Sequence, residues 1–175
     1  MAQIEGIVHH VKAAQAASAT AATRPVRVCL LSLADESFVI DLRYVREVFE
    51  VTSITPVPGA PAMLSGVANL RGTVMPIADL RSALGLPIWG ASAKYAVVIQ
   101  QGVQQIGVLV DKVPELRDLL PDEYVTATAQ SPEGAHPFVT SILKLAGRMG
   151  SLIEVPALLS YVGGRINDRE RRASG

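Results

Sequence analysis

The sequence predicts an all-β fold with short helices, organised as a duplicated small β-barrel. Three observations carry that expectation. From Val26 onward, short apolar runs alternate with turn residues at intervals of roughly 8 to 12 residues, the spacing of a small barrel or sandwich and not of a parallel α/β sheet. The second half repeats the first. Residues 38–48 align with 106–116 at an offset of 68, and Leu70-Arg71-Gly72 with its run to Asp79 aligns with Leu145-Ala146-Gly147 and a run to Glu154 at an offset of 75. The 7 extra residues fall in the polar loop 130–137, where insertions are tolerated. Finally, 49% of the 175 residues are apolar and 18% charged, with mean hydropathy +0.31: enough for a packed core and too apolar for disorder.

The elements follow in order. Ile4, Ile7, Val8 and Val11 form one stripe of an N-terminal helix that continues into an Ala-rich stretch and closes at Arg24-Pro25. Such a helix is marginal alone, so it either frays as a partly ordered extension or docks and self-associates. Strands are expected at 28–31, 38–40, 45–51, 66–70 and 73–77, and Asp79 caps a short helix over 80–84 that Gly85 stops. A linker, 86–93, leads to strands at 95–99, 105–110, 113–119, 124–129, 139–145 and 148–155. Pro156 suits the first turn of a short helix through 159, ended by Gly163-Gly164. The expected organisation is an extension 1–24, a first barrel 25–90, a second barrel with a C-terminal helix 91–163, and a charged tail 164–175.

Charge and chemistry narrow the function. Sixteen basic and sixteen acidic residues cancel, so no long-range field draws the chain to nucleic acid or an anionic bilayer. No apolar run approaches the ~20 residues of a membrane span, and no signal pattern opens the chain, so a soluble protein without membrane insertion is expected. Cys29 is the one cysteine: it can form no internal disulfide, and in an apolar strand it reads as a buried inert thiol. There is no Gly-x-Gly-x-x-Gly, Walker-type loop or Gly-x-Ser-x-Gly elbow. His9 and His10 point about 100° apart on a helix and His136 lies in a loop, so no metal site is expected. Asp35-Glu36, Asp122-Glu123 and Asp168 with Glu170 read as solvated charge, and the arginines 165, 169, 171 and 172 as a solvated tail. Three Phe, four Tyr and one Trp at zero net charge do not make an RNA-binding face. No catalytic residue, cofactor or metal is expected, and no enzyme.

What remains suits binding. Arg71-Gly72 makes a two-residue hairpin turn in which Gly72 takes positive φ and Arg71 projects outward. Alternation along 45–51 places Val45, Glu47, Phe49 and Val51 on one face. A carboxylate among large apolar side chains is either part of a contact patch or a rim residue paired with an arginine of its own domain.

The stretches 38–48, Ile54-Thr55-Pro56-Val57-Pro58 with Pro61, and 64–81, with its Gly66-Val67-Ala68-Asn69-Leu70-Arg71-Gly72 and Pro76-Ile77-Ala78-Asp79-Leu80-Arg81 blocks, resemble the CheW family of chemosensory coupling proteins. Residues 108–113 resemble its second-half signature, and the likeness covers about 26–160. The resemblance implies two SH3-like five-stranded barrels on a shared core. It also implies a cytoplasmic adaptor, recruited to membrane-associated receptor arrays, that binds the regulatory domain of a CheA-type histidine kinase and the cytoplasmic tip of a chemoreceptor. By position, Val45, Glu47 and Arg71 match receptor-facing or site-organising residues, with Glu47 and Arg71 a candidate pair. Gly66 matches a position linked to kinase coupling, by contact or by backbone fit, and Asn69 belongs to the same partner-binding motif. Thr140-Ser141 stands where the family usually shows Gly, and Glu154 where Asp is common. An adaptor of a paralogous pathway (type IV pilus motility or surface sensing) and a receptor-only scaffold are the alternatives.

Overall fold

A computed structural model describes residues 24–88, 93–125 and 136–173. The expected N-terminal helix, and the end of the strand expected over 124–129, lie outside the described residues. The first repeat supplies β1 (Val26–Leu33), β2 (Glu36–Asp41), β3 (Val45–Glu50), β4 (Leu64–Leu70) and β5 (Thr73–Ala78). The second supplies β6 (Tyr95–Gln101), β7 (Gln104–Val110), β8 (Glu115–Leu119), a short β9 (Tyr124–Val125), β10 (Val139–Leu145) and β11 (Arg148–Ile153), followed by α1 (Val155–Ala173).

These strands form two sheets, ordered β8-β1-β2-β11-β10-β9 and β3-β6-β7-β5-β4. Each repeat lends its first hairpin to the other. β1–β2 lies between β8 and β11, and β6–β7 lies between β3 and β5. The contacts β2–β11 and β7–β5 are parallel and the other pairings antiparallel. The sheets therefore do not follow the expected division into 25–90 and 91–163, because each takes strands from both sides of it. Alternation along a strand fixes which face is apolar but does not name the strand beside it, so a repeat is visible in sequence and an exchange is not. Among the described residues the first sheet has six strands, against five expected, and of β9 only Tyr124–Val125 lie within them.

The duplication is exact in register at the last hairpins. In β4–β5, Leu64 faces Ala78 and Gly66 faces Ile77, with Ser65 bulged out. In β10–β11, Val139 faces Ile153 and Ser141 faces Leu152, with Thr140 bulged out. Thr55 bridges to Val67 at the edge of β4, and Val125 of β9 pairs with Ile142 at the matching place on β10.

Alternation divides the core. Cys29, Leu31, Leu33, Phe38 and Ile40 from one sheet and Val97, Ile99, Ile106, Val108 and Val110 from the other join a shared cluster. The alternate residues turn away from it. Val28, Val39, Leu119, Leu143 and Leu145 make a second cluster, and Ala68, Ile77, Ala96 and Leu109 a third. The first sheet thus has a side of its own, as does the second, and both give a face to the common core.

Two helical expectations change. The segment after β5 is not a regular helix but two overlapping hydrogen-bonded turns, with Leu84 N donating to Leu80 O and Leu86 N to Arg81 O, each at 2.9 Å, and Gly85 left-handed at φ +67. The C-terminal helix does not stop at Gly163-Gly164 but continues to Ala173, so most of the segment read as a charged tail is helical. Val155, Leu158, Leu159, Val162 and Ile166 recur at helical spacing and pack on the shared core. Two interior glycines cost a helix about 1 kcal/mol each, which burial of several aliphatic side chains at ~1.5–3 kcal/mol apiece outweighs.

Candidate functional site

The β4–β5 turn is built by its own side chains. Arg71 (φ +51) and Gly72 (φ +88) occupy the two positive-φ positions of a tight hairpin, and Asn69 Oδ1 accepts a hydrogen bond from Gly72 N at 2.7 Å. Gly72 accepts this geometry freely, whereas Arg71 is held in it at a cost of about 1–2 kcal/mol. The turn aims the Arg71 guanidinium across the sheet edge to Glu47 of β3, with Nη2 3.1 Å from Oε2. The Arg71 side chain is 80% exposed and that of Glu47 32% exposed, so the pair is solvated and contributes no more than ~1 kcal/mol to stability.

β3 reaches this position through a 3-10 turn, Leu42–Tyr44. Asp41 Oδ1 accepts from Arg43 N at 2.8 Å, and Oδ2 accepts from Arg43 Nε at 2.9 Å. Burial works to raise the Asp41 carboxyl, but the Arg43 hydrogen bonds and charge together outweigh it and hold it below the ordinary carboxylate range.

The five candidate residues do not form one surface. Glu47, Asn69 and Arg71 come together at the turn. Val45 does not join them. A bulge between Val45 and Glu47 sets Val45 opposite Ile99 and Glu47 opposite Val98, and those two β6 neighbours face opposite sides of the sheet. Val45 therefore packs on the shared core, whereas Phe49 and Val51 join the Ala96 cluster. The expectation of a single face for Val45, Glu47, Phe49 and Val51 fails at that bulge, because one extra residue shifts the alternation.

Gly66 is buried, with φ +145, and a Cβ built there would lie 2.2 Å from Thr55 O. Thr55 is bonded to Val67 in both directions, N to O at 2.8 Å and O to N at 2.9 Å. Gly66 thus admits the crossing 51–62 segment against β4.

Other sequence readings resolve individually. Cys29 is fully buried, and burial pushes its thiol from 9.0 up to about 11, which leaves it protonated and unreactive at neutral pH. Glu123, read as solvated, instead pairs with Arg117 and accepts from Leu120 N at 2.8 Å, closing the 3-10 turn Pro121–Glu123. Among the described residues no group of three or more His, Cys, Asp or Glu is placed to hold a metal ion, and no helix is long and apolar enough to cross a membrane.

Sequence reasoning passed over Val74. It lies directly opposite Asn69, so the two share a face, and it is 66% exposed beside the Arg71 turn. The signal was available: Val74 is out of phase with the buried Met75 and Ile77. The assembled surface is an exposed ion pair, a turn amide held by Asn69, and an apolar side chain, carried on the β4–β5 hairpin and on β3, the strand at the other end of the sheet order. Such a surface has the mixed apolar and charged character of protein interfaces.

Comparison with known proteins supplies the family. The model of the CheW-like domain matches residues 27–162. A probable chemotaxis protein CheW of Rhizobium etli is 35% identical over 130 residues, covering 73% of this chain and 83% of the relative. The chemotaxis protein CheW of Rhizobium meliloti is 31% identical over 130 residues, covering 71% and 81%. A crystal structure of the scaffolding protein TtCheW from Thermoanaerobacter tengcongensis superposes with a TM-score of 0.68 at 28% identity, over 82% of this chain and 97% of that one. The domain match spans both exchanged hairpins, the Arg71 turn and most of the strand content, and on that ground the chain belongs to the CheW family.

Proposed function

We propose that the chain is a non-catalytic adaptor that couples chemoreceptors to a CheA-type histidine kinase within a chemosensory array. The observation that carries this reading is the exposed Glu47–Arg71 pair, whose two members come from the family-like 38–48 and 64–81 stretches and meet at the β4–β5 turn. The left-handed turn projects the Arg71 side chain to the surface, where it is 80% exposed and its charge is open to a partner.

In this reading the two sheets act as SH3-like barrels. The Arg71 face with Val74 receives the apolar stripe and charges of the receptor's cytoplasmic helical tip. The kinase contributes its regulatory domain, and the adaptor works in the cytoplasm, recruited to membrane-associated receptors. Each contact is small, and array multivalency supplies the lasting association. Calorimetric titration with the isolated regulatory domain of the CheA-type kinase from the same genome tests the kinase half. Micromolar or tighter binding is expected; no heat at high concentration with any such kinase would remove the coupling role.

A further inference from the structure

Arg81 has the one buried charged side chain among the described residues, at 1% exposure, and no function described above uses it. Its Nη1 is 2.9 Å from Asp79 Oδ1, and its Nη2 bonds Asp111 Oδ1. Nε has no partner among the described residues, so the guanidinium is held by its two terminal nitrogens. Asp79 and Asp111 follow β5 and β7, the parallel neighbours of the second sheet. Asp111 also reaches the first sheet: its Oδ2 accepts from Ala34 N at 2.6 Å, and its own amide donates to Ser32 O at 3.0 Å. Ala34 (φ +49) and Asp35 (φ +65) form the β1–β2 turn.

We propose that Asp111, held by the buried Arg81, is the pin that sets the register of the two sheets by fixing the β1–β2 turn of one to the end of β7 in the other. The shared apolar core supplies most of the free energy, but apolar contact is non-directional and leaves sliding open. A carboxylate with one oxygen on a guanidinium and the other on a backbone amide has one geometry. Buried ion pairs add little net stability, and their best-attested use is to specify registry. The pin exists on one side only. Position 43, equivalent to 111 at the repeat offset, is Arg43, which bonds Asp41 two residues away. The inference concerns the conformation of the chain alone and does not rest on the adaptor reading.

Residue-resolved amide exchange on the full chain tests it, with amides whose partners survive the substitution as reporters. In Arg81→Met the Asp111 carboxylate is retained, so the Ala34 and Asp111 amides still have acceptors within reach. Their exchange is expected to rise at least ~10-fold while Val97, Val108 and Leu143 inside the sheets stay within ~2-fold. Asp111→Asn preserves the side-chain volume and leaves the backbone amide of residue 111 as reporter, and it decides the matter if the Arg81 variant does not fold. Unchanged exchange at these amides, or an equal rise throughout the molecule, would overturn the pin: the former makes the backbone contact sufficient, the latter makes Arg81 a general core residue.

Discussion

Between Leu70 and Thr73 the second sheet turns through Arg71 (φ +51) and Gly72 (φ +88); between Leu145 and Arg148 the first sheet turns through Ala146 (φ +45) and Gly147 (φ +88). The backbones are the same and the side chains are not. Arg71 reaches Glu47 on β3, whereas Ala146 has no charge to offer Glu115, which matches Glu47 at the repeat offset. The same contrast holds one strand earlier. Both bulges sit at matching positions, yet β4 needs Gly66 beneath Thr55 while β10 carries Ser141 outside the left-handed region. The duplicated fold forms with or without the ion pair, so the pair is not what holds a hairpin of this kind together.

That comparison can be broken most forcefully at the bulges. Gly66→Val places side-chain atoms where Thr55 O lies 2.2 Å from the Cβ and forces a non-glycine residue to φ +145. Overpacking and strain together are expected to cost more than ~3 kcal/mol or prevent folding. Ser141→Val is expected to cost less than ~1 kcal/mol. Urea melts of both variants measure this, and equal losses would show that the two bulges are alike after all.

The turns give a medium-sized and symmetric effect. At Gly72 and Gly147 an added Cβ meets nothing within 4 Å, so alanine there suffers only the strain of φ +88. Each Gly→Ala change is expected to cost about 1–2 kcal/mol, and the two should agree within ~0.5 kcal/mol. Unequal melting shifts would mean that Asn69 Oδ1, bonded to Gly72 N, adds something to the first turn that the second lacks.

The smallest stability effect belongs to the ion pair. Arg71→Ala and Glu47→Ala are each expected to change stability by less than ~1 kcal/mol, with a double-mutant coupling that shrinks as salt is added. Glu115→Ala is the control and should show no coupling to position 146. A coupling of several kcal/mol between positions 47 and 71 would make the pair structural.

Much of this architecture was legible in the sequence for one reason: period-two alternation and turn chemistry are local. The strands, the Arg71-Gly72 turn and the buried Cys29 all follow from residues near one another in the chain, and the duplication from matching one such local pattern to another. The hairpin exchange was not legible, because β2 beside β11 and β7 beside β5 depend on partners far away in sequence. The bulge that separates Val45 from Glu47 left no trace in composition, since Arg46 fits an exposed strand position whether or not it is bulged. The C-terminal helix ran past two glycines because its apolar stripe, including Ile166, finds the shared core. In sequence Arg81 is only the end of a family-like motif. Its burial rests on Asp111, thirty residues away, and a charged residue reads as exposed until its partner is known.

We propose that the Glu47–Arg71 face serves a partner and not the fold. It is tested most directly by reconstituting kinase and receptor with either the parent chain or Arg71→Ala and measuring receptor-dependent kinase activity. Arg71→Ala is expected to melt within a few degrees of the parent, still bind the kinase regulatory domain, and fail to restore receptor control. Full receptor control by a folded Arg71→Ala variant would contradict it.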